Sequence, residues 1–420
     1  MKAVINSFEH SELELTNIFS EDDLKKFHQY FEKGKKDFLG IHQEFNGYEV
    51  QLKSYYYIGY RWLNKNEYIH IAPKKYNKYQ ADYLKMFLVC LKDHVVSQHL
   101  DETYKIYFDE KWIDISNEED EITPLLILQF LQIVKKISVK GLKKGYIKVT
   151  ENLTSKIKGK ILVNQTIKQN HFRSRLDKTV CNHQIYTVNC IENQILKTAL
   201  LQCSRNLHGI NNSDISKLLK FNLSLFEQIN SKEIFSSDFL KVKYSPFYKE
   251  YKEALKLAYM IFKRFGFNLN SEQKRESYTI PPFYINMPEL FERYVEVKLR
   301  SLYKNDLVAG YGKKNGNSYI FGLRPDFIVK NRKLIIDAKY KYWFENEISD
   351  NNFKKDFQQL SLYGRVNEIR DNISLADNEE ANILFIYPKQ DEKNFTEDEF
   401  ESVENFSNIK KLGITIPLLS

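Results

Sequence analysis

LRPDFIVKNRKLIIDAKYK, residues 323–341, holds two short apolar runs, FIVK and KLII, on either side of a polar Asn331-Arg332 pair. Folded as a hairpin about that pair, the segment sets Asp326 directly opposite Asp337. Opposed residues share a face of the sheet, with Cβ atoms about 5 Å apart. Lys339 lies two residues beyond Asp337 and points to the same face. Two carboxylates in register repel each other, and a divalent cation between them removes the repulsion. Oxygen ligands of this kind suit Mg²⁺ or Mn²⁺. The bland alternative is an exposed hairpin that carries two aspartates and a lysine. Against it, nearly continuous apolar runs predict a sheet covered on both faces, where charges need a reason.

Roles follow from that placement. Asp326 and Asp337, with the backbone carbonyl of Ala338, are the expected metal ligands, and Lys339 positions a water or stabilises charge developing on a phosphate. Glu292, in the helix expected before the sheet, is a candidate further ligand, with a surface glutamate as its plain reading. Gln359 and Tyr363 are spaced i, i+4 on one helix face. With Arg324 and Lys341 they are candidates to support the centre or contact DNA.

Absences narrow the chemistry. All nine histidines lie at or before His208, so the last third has no histidine base or zinc ligand. Gly-Lys occurs at 34–35, 159–160 and 312–313, never followed by Ser or Thr, so there is no Walker A loop. Cys90, Cys181, Cys190 and Cys203 form no CxxC pair, which argues for reduced, buried thiols.

Around this segment the pattern predicts a helix at 287–304, strands near 306–311, 319–330 and 333–341, a helix at 350–370 and a strand at 382–389. Together they read as an α/β sandwich, a mixed sheet flanked by helices. Upstream, a helix is expected at 21–34, strands over 48–74 with a turn at 64–66, and helices at 79–98 and 122–137. Short strands follow at 140–186. A capping box at Asn189–Glu192 opens a helix to 206, and further helices cover 213–229 and 245–265. The fold class is therefore multidomain α+β. A β-rich N-terminal domain spans 1–120, a mixed middle section 121–275, and the α/β core 276–420. The aromatics of 48–74 exceed what one small β-layer needs, so residues 1–120 are expected to dock on a partner, and 276–420 to fold without them.

At 420 residues with 42% hydrophobic and 28% charged residues, the chain is expected to be an ordinary multidomain globular protein. The longest apolar stretch, 123–134, is too short to span a membrane, and the N-terminus has no signal-peptide core. A cytoplasmic location is expected. Net charge is +8, but unevenly spread. Residues 131–180 hold thirteen Lys and Arg against Glu151 and Asp177, and 371–405 hold eleven acids against two lysines. The basic stretch reads equally as a phosphate surface, through Lys143, Lys144, Lys156, Lys158 and Lys160, or as a solvated face. The acidic stretch reads as a solvating tail.

The segments INMPELFERYV (285–295), LRPDF (323–327), IIDAKYK (335–341) and DFQQLSLYG (356–364) resemble the McrC family, the endonuclease subunits of McrBC modification-dependent restriction systems. So do YIGY and YIHIAPK within 57–74 and VNCIENQILKTAL at 188–200. The resemblance covers most of 55–390 and implies a PD-(D/E)xK nuclease core that cuts modified double-stranded DNA. It also implies an McrB-like AAA+ GTPase ring as partner, stimulated through the N-terminal section. Residues 1–50 and the acidic stretch have no counterpart in it. Two other readings stay open: a defence nuclease working alone or with a different motor, and a non-catalytic activator of an AAA+ ring.

Overall fold

The computed structural model describes residues 4–9, 12–13, 42–46, 49–62, 67–73, 75–76, 79–107, 109–116, 122–206, 213–265, 277–310, 325–341, 356, 358–359, 361–376, 378–389, 395–403 and 408–419. The helix expected at 21–34 and the turn at 64–66 lie outside them. The chain forms two compact units, Met1–Ile113 with Pro281–Ser420, and Asp114–Ile280.

Two larger sheets and two small three-stranded ones form the first unit among the described residues. Its principal strands are β1 (Val4–Phe8), β2 (Tyr57–Trp62), β3 (Tyr68–Ala72), β4 (Tyr104–Ile106), β5 (Phe283–Asn286), β6 (Leu307–Ala309) and β7 (Phe327–Val329). β8 (Leu334–Ala338), β9 (Asn382–Lys389), β10 (Glu401–Ser402) and β11 (Ile409–Thr415) complete them. Its helices include α1 (Tyr83–Lys92), α2 (Met287–Tyr303) and α3 (Asn367–Asn372).

The first sheet has the order β1-β3-β2-β5-β4. Strand β5 comes from the far end of the chain, yet it pairs with β2 (Phe283 opposite Tyr60) and with β4 (Phe283 opposite Ile106). The separation expected between 1–120 and 276–420 is therefore not how the strands pair: both neighbours of β5 belong to the N-terminal segment. Gly59 makes the β2–β5 approach possible. Its φ is +138°, and a Cβ there would stand 2.2 Å from the Phe283 carbonyl oxygen. Nor do the aromatics of 48–74 form an outward face. Tyr60 and Tyr68 are buried, Tyr60 stacks on His70 at 4.1 Å between ring centroids, and among the described tyrosines of this group Tyr55 is the exposed one.

The second sheet has the order β6-β7-β8-β9-β11-β10. The β7–β8 hairpin pairs Phe327 with Ile336 and Val329 with Leu334, the register expected from sequence, and turns through Lys330–Arg332 with Lys333 in the left-handed region. Strands β8, β9 and β11 run parallel. Parallel neighbours need a crossover, and the segment between β8 and β9 supplies it. Both faces are covered. Ile328, Ile335, Ile383, Phe385 and Ile409 form one core with Tyr363, Ile369 and Ile373. The alternate residues Phe327, Ile336, Leu384 and Ile386 are also buried.

Helix α2 is capped by the Asn286 side chain, which accepts from the Glu289 N–H, and carries Pro288 in its first turn. It buries Met287, Leu290, Phe291, Tyr294, Val295 and Leu299, the spacing of one helical face. The acidic stretch 371–405 is not a tail. It contains β9 and β10, and β11 follows it into the sheet between them.

The second unit packs the helices Ile122–Lys140, Ile191–Asn206, Ser213–Leu225 and Lys249–Phe265 around Phe130, Leu196, Leu200, Phe226 and Phe262. A three-stranded sheet of Gly145–Thr154, Lys178–Thr187 and Lys160–Ile161 extends from it. The expected capping box is absent: Asn189 Oδ1 accepts from Gln194 Nε2 and the Asn230 N–H, while Glu192 pairs with Lys143 at 2.7 Å. Among the described residues no helix is long and apolar enough to cross a membrane.

Candidate metal centre

The site begins at the open end of the β7–β8 hairpin. Continuing the observed register sets Asp326 opposite Asp337. Asp326 Oδ2 accepts from the Ala338 N–H at 2.8 Å, and its backbone carbonyl accepts from Gly310 N at 3.0 Å. The residue is thus held from both neighbouring strands. Lys339 N–H donates to the Ile386 carbonyl at 2.9 Å. In a trans peptide the preceding carbonyl points the opposite way, so the Ala338 carbonyl faces the Asp326 side.

Asp337 is 1% exposed. Tyr363 donates to its Oδ1 at 3.3 Å, and Gln359 Nε2 donates to the Tyr363 hydroxyl at 3.0 Å. Lys339 Nζ stands 2.9 Å from Asp337 Oδ2 as an ion pair. The Lys339 ammonium is thus the described group that faces Oδ2.

The electrostatics follow from crowding two acids into a covered sheet. Burial, then Asp337 and Glu292, push Asp326 well above the usual carboxylate range. Burial disfavours the charged form of Lys339, but Asp337 and Asp326 outweigh it and hold the ammonium charged beyond its ordinary range. Burial and the same two aspartates keep the Tyr363 phenol protonated. Two carboxyls packed in register, one of them resisting ionisation, with one ammonium at 2.9 Å, are a poor arrangement for two acids alone. It fits an oxygen-ligated divalent cation held by Asp326, Asp337 and the Ala338 carbonyl.

The other candidates divide. Gln359 and Tyr363 join the centre as a relay to Asp337, and Tyr363 is buried, so it supports rather than contacts a large substrate. Lys341 pairs with Asp356 at 2.7 Å. Glu292 acts on Asp326 through space and stands 4.0 Å from the Arg293 guanidinium. Among the described residues no group of three or more His, Cys, Asp or Glu is placed to hold a metal, so Glu292 is not drawn in as a third carboxylate. Arg324 lies outside the described residues. Asp356 is the member that sequence reasoning misses. Its spacing to Gln359 and Tyr363, i, i+3 and i+7, places the three on one helix face and is the signal that could have found it.

A family model described as McrBC 5-methylcytosine restriction system component matches residues 52–388. No curated protein shows a significant match. Among solved structures, the chain is similar to one in a half-complex from a tetradecameric assembly of Thermococcus gammatolerans McrB AAA+ hexamers with bound McrC. The identity there is 16% and the TM-score 0.40, over 98% of this chain and 94% of that one. It is similar to a second, from a Thermococcus gammatolerans McrBC complex, at 16% identity and TM-score 0.32, over 71% and 87%.

Proposed function

The chain belongs to the McrBC 5-methylcytosine restriction system component family, and from that premise we propose that it is the DNA-cutting subunit. In this reading it is a Mg²⁺- or Mn²⁺-dependent PD-(D/E)xK endonuclease that works with an McrB-like AAA+ GTPase ring on modified double-stranded DNA. The observation that carries the chemistry is the Asp326–Asp337 pair in register on neighbouring strands, with Asp337 1% exposed and Lys339 2.9 Å from its Oδ2.

A divalent cation bound by Asp326, Asp337 and the Ala338 carbonyl supplies Lewis-acid polarisation of a phosphate and of a water. The chain's own residues do the rest. Tyr363, oriented by Gln359, fixes Asp337 through Oδ1. The Ala338 N–H fixes Asp326. Lys339, held charged beside both carboxyls, offers its ammonium to the negative charge that grows on a scissile phosphate. With no Walker A loop in the sequence, nucleotide hydrolysis falls to the partner.

The test is cleavage of methylated DNA by the full complex carrying Asp326→Ala or Asp337→Ala. Each should lower cutting more than about a hundredfold, since removing a metal ligand costs several kcal/mol in the transition state. Folding and partner GTPase stimulation should persist, because removing one of two repelling carboxylates relieves the sheet. Undiminished cutting by either variant would remove the assignment.

A further inference from the structure

The peptide that carries Lys339 is fixed by a residue from the other end of the chain. Strand β8 ends at Ala338, and a tight turn follows in which the Lys341 N–H donates to the Lys339 carbonyl at 2.8 Å. Lys339 and Tyr340 leave the strand toward different neighbours. Lys339 goes to the carboxylates. Tyr340 goes into a pocket of protein and is 4% exposed. Its ring meets Phe291 of α2 with centroids 5.7 Å apart and Tyr56 edge-on at 5.9 Å. Its hydroxyl donates to Glu9 Oε1 at 3.0 Å.

Glu9 follows β1 and is 1% exposed. Its own N–H donates to the Ala72 carbonyl at 3.0 Å. One residue earlier, the Phe8 carbonyl accepts from the buried Ser54 hydroxyl at 2.7 Å. The peptide that leads into Glu9 is thus pinned through both its carbonyl and its N–H. Two aromatic neighbours already hold the Tyr340 ring, and a buried carboxyl is a costly addition for packing alone. What a hydrogen bond adds to a packed ring is direction and depth. Those two quantities set where the peptide after Lys339 lies, and a displacement of about 1 Å at a catalytic group is enough to slow chemistry about a hundredfold.

We propose that Glu9 and Tyr340 are positioning residues for the nuclease centre: the end of β1 holds Tyr340, and through it the backbone that aims Lys339. The proposal rests on Lys339 being catalytic, as above. It makes the first sheet part of the cutting machinery, joined to it by a hydrogen bond across 331 residues of sequence.

The experiment uses the full-length protein with its partner on methylated DNA, comparing Tyr340→Phe, Glu9→Ala, Glu9→Gln and the Glu9→Ala/Tyr340→Phe double variant. Tyr340→Phe and Glu9→Ala should each lower kcat about tenfold with KM for DNA unchanged. Glu9→Gln, whose amide oxygen still accepts the phenol, should restore most of the rate, and the double variant should be no slower than either single one. A second readout needs neither metal nor DNA: acylation of Lys339 by a succinimidyl ester, followed by mass spectrometry, should speed up in both slow variants.

Unchanged kcat and Lys339 reactivity in Tyr340→Phe overturn the proposal, as does a double variant whose loss is the product of the two single losses. If Glu9→Ala does not fold, Tyr340→Phe and Glu9→Gln decide alone, since both conserve volume. Asp337→Ala measured alongside separates the two failures. If it still cuts, the centre is misplaced; if it is dead while Tyr340→Phe cuts normally, only the positioning role falls.

Discussion

Asp238 and Asp326 are both enclosed aspartates, and the sign of their neighbours drives them in opposite directions. Burial works against the ionised form of Asp238, but hydrogen bonds from Lys241, Lys232 and the Phe235 N–H outweigh it and hold the carboxyl down to about 2. Burial first, then Asp337 and Glu292, push Asp326 up, and Lys339 does not offset them. The depressed folded value means that Asp238 contributes stability above the unfolded pKa near 4, and that this contribution is lost as pH falls from there toward 2. Asp238→Asn should therefore cost on the order of 2 kcal/mol at neutral pH and flatten the acid limb of urea-unfolding stability between about pH 4 and 2. An unchanged limb would show that the lysines are not holding the charge. At this scale the carboxylate pair is legible in the sequence because a strand has a strict period of two and the hairpin turn fixes its register. Asp356 is legible only when helix spacing is followed back from Gln359. Glu292 falls in the expected helix, but which part of that helix comes within ligand distance depends on packing that periodicity does not contain.

At the scale of elements, the sequence exposes strands with unbroken apolar runs and hides those that arrive from far away. β7, β8 and β9 stand out as apolar runs, while β11 carries Lys410 and Lys411 and does not. β5 reads as the edge of a boundary rather than as the strand that closes the first sheet. Gly59 tests that closure. With φ at +138° and a Cβ destined for 2.2 Å from the Phe283 carbonyl oxygen, Gly59→Ala must separate β2 from β5 or twist both. The expected cost is on the order of 3 kcal/mol, read as a lower denaturant midpoint. Because β5 runs directly into α2, cleavage should fall as well. A variant within about 0.5 kcal/mol of the parent would mean that the sheet accommodates the methyl group and that β5 is not tightly clamped.

At the scale of the molecule, two kinds of surface are candidates to meet the partner ring proposed above. The tyrosines of residues 1–120 suggest docking there, but Tyr60 and Tyr68 are buried in the first sheet and Tyr56 and Tyr57 are half-buried. The second unit presents the opposite picture. On its small sheet and the segments joined to it, Tyr146, Ile157, Val163, Phe172, Leu176 and Tyr186 are each more than half exposed, beside exposed Lys156, Lys158, Lys160, Arg173 and Arg175. Lys143 is withdrawn from this set by its buried pair with Glu192. Large exposed apolar side chains mark interaction sites. Aromatic and arginine enrichment suits a protein interface, and aliphatic groups such as Ile157 and Leu176 offer a nucleobase no ring to stack on. The partner ring, rather than DNA, is therefore the predicted occupant. Replacing Ile157, Phe172 and Leu176 together with Ser should abolish stimulation of the partner's GTPase and co-elution with it, while thermal stability stays within a few degrees, since none of the three is in the core. Replacing Lys156, Lys158 and Lys160 with Ala should leave the salt dependence of DNA binding unchanged. The result that reverses the assignment is a triple-Ser variant that stimulates normally, together with a triple-Ala variant whose salt slope falls by about three, one for each phosphate no longer neutralised.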